Sequence, residues 1–386
     1  MPLRAQASTM RVNRESFTVV EGAEQGRAQL RQAHIPALDG LRGFAAAVVV
    51  FAHIRADADI GVVHQQIGTY GVLLFFILSG FLMGHLYLRQ PFDYSHLSHY
   101  LASRISRVVP LYYAVGIVSF FISRIDGNFP YYMNNVDAVR HILMIDNVSV
   151  FWTIAPEFQF YFIFPVLWWL VYQPSKIRVP FGFLAAFLVA VLFVFRYQLP
   201  GLLIISKLHV FLLGVGIAAI RPFIQSFVST LSATVLQVLA VGILFSLVIP
   251  PTIAFYQWLY LDGVPDRLSR FYYEPARTIM IGYCVFAFSI ADTPFSRVLF
   301  GNRCGRALGR YSFSLYLLHT PVIYFVTEST LPYYLSGSAT IACIVALSLV
   351  LSAFSYYCFE LPLQSAAKAR LIKLFGSVRQ RTLRVS

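Results

Sequence analysis

Apolar segments of roughly bilayer-crossing length recur about ten times between residues 35 and 358, and this recurrence limits the possible folds more than any other feature. A spanning helix needs about 20 mostly apolar residues, because each residue rises about 1.5 Å and the hydrocarbon layer is about 30 Å thick. The segments fall at roughly 35–55, 67–88, 106–124, 155–173, 180–197, 201–220, 231–249, 276–291, 311–329 and 337–358. Residues 249–261, interrupted by Pro250 and Pro251, read as a short interfacial or re-entrant piece. With 58% hydrophobic and 12% charged residues, against about 25% charged in a soluble domain, the chain cannot cover itself for water. The expected fold is all-α: a polytopic integral membrane protein built as one bundle of about ten transmembrane helices. It divides into a polar N-terminal tail (1–34), a transmembrane domain (35–360) and a basic C-terminal tail (361–386).

The net charge of +13 sits in short clusters between apolar segments, as a topology signal does and a nucleic-acid surface does not. With the N-terminus inside, 21 of the 30 Lys and Arg residues fall on the inner side: five arginines before Ile35, ten between Arg89 and Arg310, and six after Pro362. Eight fall outside, and Arg42 lies within the first helix. This bias places both termini in the cytoplasm, with an even number of crossings. The outer connections, roughly 125–154 and 250–275, are too short for a catalytic domain, so any chemistry belongs inside the bundle. The four cysteines form no CxxC pair or disulfide framework, and no metal site is expected. The first 34 residues lack the apolar core and cleavage site of a removable signal peptide. No internal repeat is visible.

Ionisable residues within apolar helices are costly, at least about 2.5–3.5 kcal/mol near the bilayer centre, so each marks a candidate site. In IPALDGLRGFAAAVVVFAHI, Arg42 and His53 stand 11 positions apart, which returns to nearly the same helix face. Their separation of roughly 16 Å puts Arg42 near the cytoplasmic mouth and His53 in the outer half. That span suits an extended pantetheine arm, with a phosphate end at Arg42 and a thioester near His53. Taken alone, the pair serves equally well as a snorkelling anchor and a helix-packing hydrogen bonder.

Arg104 and Arg107 share a face at i, i+3 and would make a diphosphate clamp, although isolated inner arginines are more often topology signals. Pro156 and Glu157 open the fourth helix from outside, which sets Glu157 at about the depth of His53; an acid in the first turn also suits the helix dipole. Trp152, Phe158 and Tyr161 would rim the same mouth with aromatic faces for a sugar. Ser312, Tyr316 and His319 form a polar stripe at i, i+4, i+7, equally suited to interhelical hydrogen bonding. Ser79, His209 and Glu360 read first as packing or capping residues.

In order along the chain, these segments resemble the membrane-bound acyltransferase-3 family, whose members acylate sugars and other hydroxyl compounds from acyl-CoA. The resemblance rests on Arg42 and His53 in an R-x10-H arrangement, GVLLFFILSGF in the second helix, Arg104-x-x-Arg107, FWTIAPEFQFYFIFP, and the late YSFSLYLLH and FELP. It spans roughly residues 35 to 362. Phe158 after Glu157 is compatible with the family's acidic or Glu-aromatic pair. The resemblance implies a ten-helix core, His53 as the essential histidine, Arg42 as its partner toward the donor, and Arg104 and Arg107 as structural or donor-binding arginines. Some members carry a fused extracytoplasmic hydrolase-like domain; with 26 residues after Glu360, this chain is expected to act without one.

The expected activity is O-acyl transfer from cytoplasmic acyl-CoA, acetyl-CoA being the commonest donor in the family, to a glycan or lipid-linked carbohydrate. The acceptor classes are exopolysaccharide, lipopolysaccharide and lipo-oligosaccharide, and the expected location is a bacterial cytoplasmic membrane. His53 would act as general base or as acyl carrier. Glu157 or His319 would orient it, and Ser79 or Tyr316 would hydrogen-bond the thioester oxygen. A transporter or flippase of a lipid-linked sugar also needs many spans and buried charge, but commonly shows repeat symmetry and paired broken helices. A glycan polymerase or ligase would place its basic residues on an outer loop.

Overall fold

The computed structural model describes residues 34–58, 67–145, 148–195, 198, 203–248 and 275–385, and among these there is no strand. Residues Pro36–Ser386 form one compact unit. Its helices, in order, are α1 (Pro36–Ala58), α2 (Ile67–Tyr87), α3 (Tyr94–Ile122), the short α4 (Asn135–Ile142), α5 (Ile154–Val171), α6 (Ser175–Val194), α7 (Leu208–Gln225), α8 (Thr230–Val248), α9 (Pro275–Ile290), α10 (Pro294–Leu299), α11 (Arg303–Thr327), α12 (Leu331–Tyr334), α13 (Gly337–Ser355) and α14 (Leu361–Val385). Short 3-10 turns, Ser149–Thr153 and Ile204–Ser206, precede α5 and α7, and a π-helical turn, Tyr356–Glu360, joins α13 to α14.

Eight of these helical stretches are long and apolar enough to cross a membrane. The remaining two expected segments fall on α9, which has only 16 residues, and on α11, whose start carries three arginines. The expected piece at 249–261 lies outside the described residues. Two helices begin earlier than their apolar runs suggest. Asp93 caps α3 by accepting from the His96 backbone N–H, and Asn302 caps α11 through Gly305. Arg104 and Arg107 therefore lie inside α3 rather than before it, and the basic tail after Glu360 is helical as α14.

Packing follows from where small residues allow backbones to meet. α1 and α11 form the most extensive interface, followed by α2 with α7. A Cβ at Gly309 would collide with the carbonyl oxygen of Asp39, and one at Gly214 with that of Ile77. Gly43 lies against Gly309, and ring contact joins His53 to His319, so the two helices run parallel in constant register. α2 is apolar all round and correspondingly buried over 89% of its spanning window, whereas α6 buries nothing and exposes Phe183, Phe187 and Leu188 as a lipid-facing helix does.

Two prolines shape the walls of the interior. Proline has no N–H, so the carbonyl four residues earlier loses its helical partner. Pro165 in α5 frees the carbonyl of Tyr161, and the Tyr100 hydroxyl of α3 donates to it at 3.0 Å. Pro321 in α11 frees that of Leu317, and the hydroxyl of Tyr131, on the connection between α3 and α4, donates to it at 2.9 Å.

Candidate functional site

The polar residues of α1, α2, α5 and α11 converge. The Arg42 guanidinium lies 6.0 Å from the centre of the Phe75 ring, Phe75 meets Tyr316 at 5.9 Å, Tyr316 meets His319 at 6.0 Å, and His319 meets His53 at 4.8 Å. A continuous wall therefore runs from Arg42 to His53, built by the parallel faces of α1 and α11 with Phe75 of α2 between them. The Ser312–Tyr316–His319 stripe faces inward along its whole length, with Ser312 and His319 fully buried and Tyr316 6% exposed.

The two imidazoles differ in what they leave available. His53 Nδ1 lies 2.9 Å from the Val49 carbonyl and His319 Nδ1 lies 3.1 Å from that of Leu315. A carbonyl only accepts, so both rings carry the proton on Nδ1 and present a lone pair on Nε2. The Thr320 hydroxyl at 3.2 Å occupies the Nε2 of His319. His53 is half-buried and its Nε2 has no hydrogen-bond partner among the described residues. His319 thus holds His53 but is itself enclosed, unlike a group that must meet substrate.

Glu157 sits elsewhere than its sequence position suggests. It lines a slot of about 30 Å³ together with Arg42, Phe75, Thr153, Ser312 and Tyr316, so it stands at the level of Arg42 and not of His53. The cause is local: the 3-10 turn Ser149–Thr153 carries the chain inward before α5 starts, and Thr153 already donates to the Tyr316 hydroxyl at 2.8 Å. One oxygen of Glu157 accepts two hydrogen bonds, from Ser79 at 2.6 Å and Tyr161 at 2.9 Å. Ser79 is thereby a carboxylate partner. Tyr161, expected on the outer rim, is 1% exposed and turns inward because its hydroxyl follows Glu157 one helical turn away.

Trp152 and Phe158 remain half-buried, and the Lys207 amine lies 5.3 Å from the Trp152 ring centre. The two arginines of α3 differ in burial. Arg104 is buried with its guanidinium 5.6 Å from the Tyr87 ring, while Arg107 is half-buried. Glu360, in the π-turn, accepts from Ser314 at 2.7 Å. Among the described residues no group of three or more His, Cys, Asp or Glu side chains could hold a metal ion. A larger cavity of about 540 Å³ between α1 and α8 is lined by apolar chains such as Phe44, Phe51 and Leu244, and offers no polar group for chemistry.

Sequence comparison decides the family: residues 35–357 match the acyltransferase-3 profile, described as an acyltransferase domain. The chain belongs to the acyltransferase-3 family. The matched region carries Arg42, His53, Glu157 and His319 and ends before Glu360. Among curated relatives, the chain is 24% identical over 381 residues to O-acetyltransferase OatA of Staphylococcus aureus strain NCTC 8325 / PS 47. It is 25% identical over 383 residues to SACOL0978 of Staphylococcus aureus strain COL, named as a candidate O-acetyltransferase. These alignments cover 86% and 85% of this chain but 57% of each relative, so the chain spans little more than half the length of the relatives it matches. No solved structure matches it.

Within this acyltransferase-3 chain, sequence reasoning missed Thr153, Thr320, Tyr100 and Tyr131. The two threonines are adjacent to recognised residues and give no spacing signal of their own. The two tyrosines were discoverable from Pro165 and Pro321, since each proline announces a carbonyl that needs an outside donor.

Proposed function

We propose that this acyltransferase-3 chain transfers an acyl group, acetyl in the first instance, from cytoplasmic acyl-CoA to a hydroxyl of a glycan or lipid-linked carbohydrate on the outer side of a bacterial cytoplasmic membrane. One observation carries the reading: the continuous wall linking Arg42 to His53 through Phe75, Tyr316 and His319. Arg42 holds a donor phosphate, and the thioester lies along the aromatic wall. His53, with its Nε2 lone pair unoccupied, either takes the proton of the acceptor hydroxyl as the oxygen attacks the thioester carbonyl, or accepts the acyl group first and passes it on. In both routes the CoA thiolate leaves and recovers a proton.

Glu157 stands beside the donor's path and sets the charge around Arg42. His319 positions His53, and Tyr316 is the hydroxyl nearest the thioester on this wall. Both termini are cytoplasmic, in keeping with the bias of basic residues, and α9 and α11 complete ten crossings. The slot at Arg42 holds roughly one water, so donor entry must widen it. The test supplies membranes containing the chain with radiolabelled acetyl-CoA and extracts the glycan. Label on the glycan, removable by mild alkali as an ester is, supports the reading; label found only in free acetate or unreacted acetyl-CoA overturns it.

A further inference from the structure

Phe44, Ala47, Val48 and Phe51 of α1 recur at i, i+3, i+4 and i+7 and form one wall of the apolar cavity of about 540 Å³. Phe44 stands two positions after Arg42, and Phe51 two positions before His53, in each case about half a turn round the helix. The cavity therefore lies on the opposite face of α1 from the candidate site. Leu244 and Phe245 of α8 make the facing wall. Phe51 is 48% exposed and Phe245 62%, so the space opens sideways between the two helices.

The two ends of the cavity differ. Toward Arg42 it is plugged by rings: Phe300 meets Phe44 at 5.8 Å and Phe288 at 4.8 Å. Toward His53 it reaches Phe51 and Ile67. Gly71 lies against Ala45 and Gly68 against Ala52, so α2 runs antiparallel to α1 and Ile67 comes level with the His53 end. That end also carries charge. Gly80 meets Phe211 and Gly84 meets Ala218, while Gly282 meets Leu213 and Arg221 donates to the Ser289 carbonyl, so α2, α7 and α9 run parallel. The start of α9 thus lies at the His53 end. Arg277, 5% exposed, stands there, one turn beyond Ile281, which lines a recess sharing Phe44, Val48 and Leu244 with the cavity.

An apolar space of this size offers water no polar partner, and leaving it empty is costly. Within a membrane the filler at hand is a hydrocarbon chain. The ring plug bars a chain arriving from the Arg42 end, which excludes an acyl tail carried in with the donor. A chain seated from the other end has its head at the level of His53. The slot between two helices suits one chain, and the buried guanidinium, with five donors, suits a phosphate joined to it. We infer that this cavity seats the polyisoprenyl chain of a phosphate-linked carbohydrate, its phosphate on the Arg277 side and its sugar at the level of His53. The inference rests on the acyl-transfer reading above and deepens it by choosing the lipid-linked acceptor.

The test uses the full chain in phosphatidylcholine nanodiscs and two photoreactive probes. One is a polyisoprenyl phosphate with a diazirine at the far end of its chain; the other is the same chain ending in an alcohol. Cross-linked peptides are mapped by mass spectrometry. The phosphate probe is expected to label the 44–51 stretch of α1 and the 241–245 stretch of α8. Ala47→Phe, which sets a ring in the cavity, should lower the yield at least about fivefold, and Val241→Phe on the facing wall should do the same. Arg277→Gln should lower the yield of the phosphate probe about threefold or more and leave that of the alcohol unchanged. Labelling spread over all lipid-facing helices, yields indifferent to both filling variants, or full displacement of the probe by an equal amount of phosphatidylglycerol overturns the seat. The wild-type map needs no variant to fold. Acetyl transfer to carbohydrate in the same nanodiscs is read separately. If transfer proceeds while the probe stays off the cavity, only this seat fails; if the probe labels as expected and no carbohydrate is ever acetylated, the acyl-transfer reading fails and takes with it the acceptor role of the bound lipid.

Discussion

His53 and His319 meet edge to face with ring centres 4.8 Å apart, and each donates its Nδ1 hydrogen to the carbonyl four residues earlier in its own helix. One imidazole therefore fixes the plane of the other. Because Thr320 occupies the remaining nitrogen of His319, His53 Nε2 is the basic lone pair this wall offers. His319→Ala should lower kcat about 10- to 100-fold with little change in either KM, less than the roughly 10²- to 10⁴-fold expected from losing a general base. His319→Phe, which keeps a flat ring against His53, should recover part of that loss. Rates of acyl transfer by the purified variants decide this: a phenylalanine variant as inactive as the alanine one would give His319 a chemical role of its own.

The Tyr131 hydroxyl completes α11 where Pro321 leaves the Leu317 carbonyl unpaired. Tyr131→Phe strands a buried acceptor, at a cost of about 1–3 kcal/mol, and should lower the melting temperature in detergent. Pro321→Ala supplies a new N–H to the same carbonyl. The double variant Tyr131→Phe, Pro321→Ala should therefore melt closer to wild type than Tyr131→Phe alone. Purely additive losses would mean that the two residues act independently.

How far the sequence could be read depended on whether a signal was periodic. The apolar segments and the Ser312–Tyr316–His319 stripe repeat with the helix, so their placement followed from counting, as did the shared face of Arg42 and His53. Glu157 was set a level too shallow because a 3-10 turn carries the chain inward ahead of α5, and such a turn has no apolar period. Arg104 and Arg107 read as one clamp at i, i+3, yet Arg104 is buried against Tyr87 while Arg107 is half-buried, a difference in depth that tertiary packing produces. The long α3 and α11 starts were hidden because caps at Asp93 and Asn302 extend them through polar sequence.

Ser79 and Tyr161 both donate to one oxygen of Glu157, which holds the carboxylate aside in the slot it shares with Arg42. Each bond contributes about 0.5–1.5 kcal/mol. Ser79→Ala and Tyr161→Phe should each free Glu157 to compete for Arg42, raising KM for the acyl donor about two- to tenfold with the acceptor KM unchanged. Titration of initial rates against donor concentration measures this, and a rise confined to acceptor KM would place Glu157 on the other substrate.

Asp126, on the connection that follows α3, accepts a hydrogen bond from the Tyr324 hydroxyl at 2.6 Å, which holds that carboxyl below its ordinary value of 3.8. A depressed carboxyl pKa in the folded state contributes stability that is present above the unfolded value and lost as pH falls through the folded one. Asp126→Asn should thus melt slightly lower than wild type at pH 7, and the difference should close as pH falls below about 3.8. Melting curves at pH 7, 5 and 3 check the sign; a difference that grows on acidification contradicts it.

The most direct measurement is acyl transfer by His53→Ala, purified and shown to be folded, compared with wild type in a single turnover on radiolabelled acetyl-CoA and glycan acceptor. Loss of product by at least about 100-fold, with acetyl-CoA still bound, is the expected result. Normal transfer by the folded His53→Ala protein would contradict the assignment of the chemistry to this imidazole.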